Sequence, residues 1–168
     1  MTTAAPAVVL VGHGAPPRDA PGELVSRLKM LEGRRRAQGV EATPEELELD
    51  RKLRSWPRTA DNDPYKVGFE QLAAALRSEL PGRTLLVAYN EFCAPSLEDA
   101  VGSAVDAGVR EITVVPSMLT PGGVHSEVEI PEALEALRRR WPDVAIRYAW
   151  PFDLGAVARL LASQIEAG

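Results

Sequence analysis

The chain has 168 residues, 45% of them hydrophobic, which is enough for one domain with a substantial core and rarely for two. Its formal net charge of −5 argues against general binding to nucleic acids or to anionic membranes. The single cysteine, Cys93, excludes an internal disulfide and suits a reducing, cytoplasmic setting. Because residues 1–6 lack a basic segment and no long apolar stretch follows, we expect neither a signal peptide nor a membrane-spanning helix.

The first third of the chain contains one apolar strand and a long polar segment. Residues 7–11 are a short, continuous apolar run, which predicts a buried strand. Residues 15–64 hold a proline-rich loop, a predicted helix at 23–36 and a second helix from Pro44 to about Ser55. A long segment at the ligand-binding edge of a sheet is usually a lid, a specificity element or a subunit contact. We interpret residues 15–64 as a helical insertion after strand 1.

From residue 65 onward, helices and strands alternate regularly. This alternation is typical of parallel strands joined by right-handed crossovers. We therefore expect a three-layer α/β fold, with a four-stranded parallel sheet in the order 2-1-3-4 flanked by helices, and a single domain over residues 1–168. The predicted helices span residues 65–80, 96–107, 130–141 and 154–166, and the remaining strands span residues 84–89, 111–116 and 144–149.

Both histidines of the chain follow predicted strands. His13 comes directly after strand 1, Glu91 follows strand 2, and His125 follows strand 3 beyond a Pro-Gly-Gly loop. The carboxyl ends of three adjacent parallel strands span about 10 Å of one sheet edge, a gap that side chains can close. Two imidazoles and one carboxylate form a ligand set suited to Co²⁺, Ni²⁺, Fe²⁺ or Zn²⁺. The sequence therefore predicts a divalent metal site at this edge.

Three stretches around these residues carry a resemblance to a known family. Leu10–Gly14 is similar to the family's opening Gly-His-Gly motif, and Glu91–Leu97 resembles its Leu-Glu-x-x-x-Pro-Ser/Thr stretch. Val115–Pro131 resembles its Val-Pro…Gly-x-His-x-x-x-Asp-Ile-Pro stretch, which is the most specific of the three. The chain thus resembles the class II tetrapyrrole chelatases, in particular the short sirohydrochlorin cobaltochelatase type, from residue 7 to about 150 apart from the insertion.

The resemblance implies a reaction and a set of site residues. The reaction is the insertion of a divalent metal into a sirohydrochlorin-like tetrapyrrole without ATP, with Co²⁺ expected and Ni²⁺, Fe²⁺ or Zn²⁺ as alternatives. By position, His13, His125 and Glu91 would bind the metal and handle the pyrrole protons, and no organic cofactor is needed. The resemblance also implies a homodimer with two-fold symmetry, in which a second subunit supplies what a second domain supplies in longer relatives.

Residues near these three are candidates for further contacts. Glu129 could contact the metal or orient the imidazole of His125, although electrostatics at a helix start explain its position equally well. Arg58, like other arginines of the insertion, could pair with the propionate and acetate groups of a tetrapyrrole. The remaining candidates for contact with the macrocycle are Gly12, Gly14, Tyr89, Gly122 and Gly123.

The chain also departs from the family pattern. Ala15 stands where the family usually has Ser or Thr, Glu129 stands where it usually has Asp, and the insertion would lie over the region that holds the macrocycle. These departures also fit a second hypothesis, a non-catalytic metallochaperone or tetrapyrrole carrier.

Two further enzyme classes fit the sequence less well. A phosphohistidine phosphatase would need an arginine directly before His13 to hold phosphate, and the chain has Gly12 there. A serine hydrolase of the nucleophile-elbow type would need a Gly-x-Ser-x-Gly motif, which the sequence lacks.

Overall fold

Four short strands form one parallel sheet in the computed structural model, which describes residues 4–168. A π-helical turn at His125–Glu129 leads directly into the fifth helix. The strands are β1 (Ala7–Gly12), β2 (Thr84–Tyr89), β3 (Glu111–Pro116) and β4 (Ala145–Tyr148), and the helices are α1 (Gly22–Gln38), α2 (Pro44–Arg54), α3 (Pro64–Ser78), α4 (Leu97–Asp106), α5 (Ile130–Arg140) and α6 (Leu154–Ala167).

The strand order is β2-β1-β3-β4, and every pairing is parallel, so the predicted 2-1-3-4 sheet is confirmed. In the central strand β1 all six residues are buried, which explains why this strand is a continuous apolar run rather than an alternating one. Gly12 of β1 pairs with Tyr89 of β2, and Val11 pairs with Pro116 of β3. The carboxyl ends of the three strands therefore lie side by side, and each predicted site residue follows one of them in the chain.

Helices cover the two faces of the sheet and create two apolar clusters. On one face, Phe69 and Ala73 of α3 pack with Val8, Leu10 and other side chains of the sheet. On the other face, residues of α4 and α5 pack against Val9, Val11 and the inward-facing positions of β3. The three-layer arrangement expected from the alternating sequence is therefore present.

Helices α1 and α2 lie in the chain between β1 and α3, as predicted for residues 15–64, and they pack against each other. The Thr43 side chain caps α2 by accepting a hydrogen bond from the backbone N–H of Glu46. Leu28 of α1 and Leu53 of α2 are buried against Phe92, in the loop that follows β2. This small cluster fixes the two helices over the carboxyl edge of the sheet.

Helix α6 differs from the others because none of its residues is buried in the described chain. Its apolar side chains Leu160, Leu161 and Ile165 are each more than half exposed, and Ile165 reaches 80%. Among the helices within residues 4–168, none is both long and apolar enough to cross a membrane.

Candidate metal site

The structure brings the two histidines into direct contact. Their rings meet edge to face with centroids 4.6 Å apart, and the two Nε2 atoms are 3.1 Å from each other. An Oε1 atom of Glu91 lies 3.8 Å from Nε2 of His125. One ligand atom from each of the three residues falls within 4.8 Å of the other two. The sequence thus correctly predicted the convergence of His13, Glu91 and His125, whereas their role as ligands stays a prediction.

Hydrogen bonds at the far nitrogens assign the tautomer of both rings. Nδ1 of His13 lies 2.8 Å from the carbonyl oxygen of Gly14, and Nδ1 of His125 lies 2.6 Å from Oε2 of Glu129. Because a carbonyl oxygen and a carboxylate oxygen only accept, these two contacts place the proton of each ring on Nδ1. The Asn90 amide nitrogen also lies 2.8 Å from Nδ1 of His125, and in this tautomer it donates to Glu129 instead. Both Nε2 atoms therefore present lone pairs toward each other.

Two facing lone pairs repel, and a shared cation relieves the repulsion. If each nitrogen bonds a metal at the usual 2.0–2.1 Å, a separation of 3.1 Å corresponds to an angle of roughly 100° at the ion. This angle is close to that of a tetrahedral site. Burial, the largest influence, lowers the pKa of His125 from its ordinary value, so the ring stays neutral and available as a ligand near neutral pH.

Glu129 orients His125 instead of joining the three-residue cluster. Besides its bond to Nδ1 of that ring, it accepts a hydrogen bond from the Asn90 amide at 2.6 Å and pairs with the guanidinium of Arg36. The prediction of Glu129 as a metal ligand therefore disagrees with the geometry, because its carboxylate is engaged at the opposite ring nitrogen. Its position fits the alternative that the sequence left open, a carboxylate that fixes the imidazole from behind.

Backbone contacts hold the Glu91 loop against His13. The N–H of Glu91 donates to the carbonyl of His13 at 2.9 Å, and Gly14 passes so close that an added Cβ would lie 1.9 Å from the Glu91 carbonyl oxygen. Gly14 also has a φ of +87°, in the left-handed region. The close approach to Glu91 and the left-handed backbone therefore both require glycine at this position. Its predicted contact with the substrate stays a prediction.

Two arginines of the helical insertion bind the carbonyl groups of the same loop. Arg54 donates to the carbonyl oxygens of Tyr89, Asn90 and Cys93 at 2.8–3.2 Å. Arg58 donates to the carbonyl of Phe92, which has a left-handed φ of +57° that is unusual for a residue other than glycine. These bonds stabilise a strained loop that carries Glu91.

Two side chains predicted to contact a substrate are engaged or buried within the protein. Arg58 has both terminal nitrogens engaged within the protein, including a 2.6 Å ion pair with the buried Asp63, so it is not free to bind a carboxylate of a ligand. The ring of Tyr89 is buried against Phe69 on the α3 face of the sheet, because side chains alternate along β2. Burial accordingly raises the pKa of Tyr89.

The glycines predicted as substrate contacts lie in two different settings. An added Cβ on Gly12 would meet the Phe69 ring at 2.9 Å, so this glycine permits packing against α3. Gly122 and Gly123 are exposed in the loop before His125, and the N–H of Gly122 donates to Glu127. Of the predicted glycines, only this exposed pair could approach a ligand.

A cavity of about 700 Å³ lies beside Glu91, and neither histidine is among the residues that line it. It lies between α1 and α2 on one side and the π-helical turn with α5 on the other, and Asn90, Glu91 and Glu129 form part of its wall. Arg35, Arg36 and Arg54 also line it, together with Val124 and Val128. This volume is within the range of small-molecule sites, and the insertion supplies one of its walls.

Two polar side chains near the cluster were missed by sequence reasoning. The hydroxyl of Tyr65 accepts a hydrogen bond from the N–H of His13 at 2.7 Å. The ammonium of Lys29 lies 2.5 Å from Oε1 of Glu91. No local pattern reveals either contact, because each joins residues more than fifty positions apart in the chain.

The fold and the cluster define a chelatase-like α/β protein, and comparison with known proteins agrees. The CbiX family model matches residues 60–166, more than half of the chain, and the chain belongs to the CbiX family. A sirohydrochlorin cobaltochelatase from Methanopyrus kandleri is 40% identical over 60 residues, which are 36% of this chain and 41% of the relative. One from Priestia megaterium is 33% identical over 64 residues, which are 38% of this chain and 21% of the relative. The chain therefore spans less than half the length of either curated relative.

Solved structures show the same fold. SirB from Bacillus subtilis with Fe³⁺ superposes with a TM-score of 0.54 at 19% identity, covering 98% of this chain and 48% of that chain. A CbiX protein of cobalamin biosynthesis from Marinobacter aquaeolei VT8 gives a TM-score of 0.53 at 23% identity, covering 96% of this chain and 98% of that chain.

Proposed function

We propose that the protein inserts a divalent metal ion into a sirohydrochlorin-like tetrapyrrole without ATP, and that Co²⁺ is its metal. The observation that carries this proposal is the pair of Nε2 lone pairs facing each other at 3.1 Å beside the Glu91 carboxylate. The names of the two curated relatives support the substrate class and favour cobalt. Fe²⁺ and Ni²⁺ are the alternatives.

The reaction exchanges one divalent cation for two pyrrole protons. His13, His125 and Glu91 would hold the metal substrate through two nitrogens and one oxygen, and of the three Glu91 lines the cavity. As the metal moves to the macrocycle, the facing Nε2 atoms can accept the two pyrrole N–H protons one at a time and pass each of them on to solvent. The Gly14 carbonyl and the Glu129 carboxylate accept from the two Nδ1 atoms and stabilise whichever ring is transiently protonated. Two protons and one metal ion thus change places, and the total charge is conserved.

The cavity wall provides a place for the anionic edge of such a macrocycle. Arg35 and Arg36 of α1 line the cavity, and both are already paired with glutamates, Glu46 and Glu129 respectively. Substrate carboxylates could exchange with these partners through the bidentate geometry that guanidinium groups favour. Arg36 would then connect substrate binding to the carboxylate that orients His125.

The test is metal insertion followed by absorbance of the tetrapyrrole under anaerobic conditions, with Co²⁺, Ni²⁺, Fe²⁺ and Zn²⁺ in parallel. We expect turnover by the wild type and loss of turnover for His125→Ala, with unchanged circular dichroism. Glu98→Ala, an exposed change on α4, is the matched control and keeps full activity. Absence of turnover with all four metals, in a folded wild-type protein, contradicts the proposal.

A metallochaperone or tetrapyrrole carrier is the second candidate function. The absence of a hydroxyl at Ala15, next to the Gly-His-Gly motif, favours it. A carrier would bind Co²⁺ or the tetrapyrrole tightly and show no insertion, so the same assay with a binding titration separates the two functions.

We also propose that residues 1–168 act as one chelatase-like domain in a cytoplasmic homodimer. The exposed apolar face of α6 supports a second subunit, and the buried, unpaired thiol of Cys93 supports a reducing compartment. Light scattering should give twice the monomer mass of 18.2 kDa, and Leu161→Glu should yield the monomer. A monomeric wild type at micromolar concentration would refute the dimer.

A further inference from the structure

A lysine of the insertion contacts the carboxylate of the candidate metal site. Nζ of Lys29, on α1, lies 2.5 Å from Oε1 of Glu91. The same oxygen atom lies 3.8 Å from Nε2 of His125. The Glu91 side chain is only 6% exposed. A buried carboxylate of this kind needs a positive partner, and Lys29 provides one.

The surroundings of Lys29 allow its ammonium to move. The Lys29 side chain is 41% exposed, and a second carboxylate, Glu32, lies one turn along α1 with Oε2 at 3.4 Å. That Glu32 oxygen is buried and has no hydrogen-bond partner among the described residues. The Phe92 ring also lies 4.8 Å from the ammonium, within the range of a cation–π contact. The ammonium can therefore leave Glu91 and remain close to Glu32 and Phe92.

We propose that Lys29 is a tethered cation that a divalent metal must displace from Glu91, so that α1 lowers the metal affinity of the site. The inference rests on the proposed metal site and deepens it. An ammonium at 2.5 Å and a metal ion at the same carboxylate oxygen repel each other, so Lys29 in this position opposes metal binding by Glu91. When the metal leaves for the macrocycle, Lys29 returns and neutralises the buried Glu91. The exchange favours delivery of the ion over retention.

The alternative interpretation is that Lys29 and Glu91 form an ordinary ion pair that stabilises the fold. Such a pair would affect folding and leave metal affinity unchanged apart from any loss of structure. The two interpretations predict different coupling free energies between Lys29 and Glu91 for metal binding. A double-mutant cycle measures this coupling.

The experiment is calorimetric titration of the full chain with CoCl₂. A hydrogen bond to a charged group is equivalent to roughly 10- to 100-fold in an equilibrium constant. We therefore expect Lys29→Met to bind Co²⁺ about 10- to 100-fold more tightly than the wild type. Lys29→Gln serves as a second variant that retains a hydrogen-bond donor, and it should also bind more tightly. Lys52→Met, on the exposed face of α2, is the control and should match the wild type.

The cycle uses Glu91→Gln as its second background. In that background, Lys29→Met should leave the Co²⁺ affinity unchanged, because the competing carboxylate is gone. Equal or weaker binding by both Lys29 variants overturns the inference, and so does the same gain in the Glu91→Gln background. If no variant binds Co²⁺, the proposed metal site and the inference both fail. If the wild type binds, His125→Ala does not, and the Lys29 variants match the wild type, only the inference fails.

Discussion

Replacing Gly14 by alanine tests whether the Glu91 loop depends on the close backbone contact beside His13. The added Cβ would lie 1.9 Å from the carbonyl oxygen of Glu91, far inside van der Waals contact, at a φ of +87°. The left-handed backbone costs about 1–2 kcal/mol for a residue with a Cβ. The forced displacement of the loop adds about 1–3 kcal/mol, as for other overpacked sites. We therefore expect a total loss of about 2–5 kcal/mol in the free energy of unfolding.

Gly82→Ala is the matched control for this substitution. Gly82 has a φ of +75°, and an added Cβ would meet no atom of the described chain within 4 Å. Its loss should therefore be limited to the backbone cost of about 1–2 kcal/mol. Urea unfolding of both variants measures the difference, and a Co²⁺ titration should show weaker binding for Gly14→Ala alone. Equal losses for the two variants would refute the steric explanation of Gly14.

Two further substitutions probe the contacts around the site. Glu129→Gln should weaken Co²⁺ binding about 10- to 100-fold by loosening the orientation of His125, as is usual for groups that position a metal-binding histidine. Calorimetry measures this change, Glu132→Gln one turn away serves as the control, and equal affinities would contradict the positioning role. Arg58→Met should cost about 3–5 kcal/mol of stability, because it leaves the buried carboxylate of Asp63 without its cation. Urea unfolding tests this, and a loss under about 1 kcal/mol would show that the ion pair contributes little.

The fold could be predicted from the sequence because its signals are local. The apolar runs of β1 and β3 and their alternation with helices determine parallel pairing, and the observed strand bounds agree with the predicted ones within one or two residues. The π-helical turn at His125–Glu129 was not expected, since the sequence predicted a helix only from residue 130. The spacing of apolar residues in this segment does not distinguish a π-helical turn from an α-helical one.

The candidate site was predictable only in its outline. His13, Glu91 and His125 follow adjacent strands, so the topology alone brings them to one edge. The side chain of Tyr89 is buried on the α3 face, because adjacency in the chain does not determine which face of a strand a side chain occupies. The contact of Lys29 with Glu91 depends on how helices α1 and α2 pack over the edge of the sheet. No local sequence pattern predicts such packing.

The hydrogen bonds from Arg54 and Arg58 to the Glu91 loop limit how far this protein can be shortened into a smaller scaffold. Excising residues 15–64 would delete both guanidinium groups, and the carbonyl oxygens at positions 89, 90, 92 and 93 would lose their hydrogen-bond donors. A shortened design would have to rebuild that support by other means, for example with a tighter turn in place of Phe92. Residues 15–64 thus support the conformation of the Glu91 loop, and a designer cannot delete them without replacing that support.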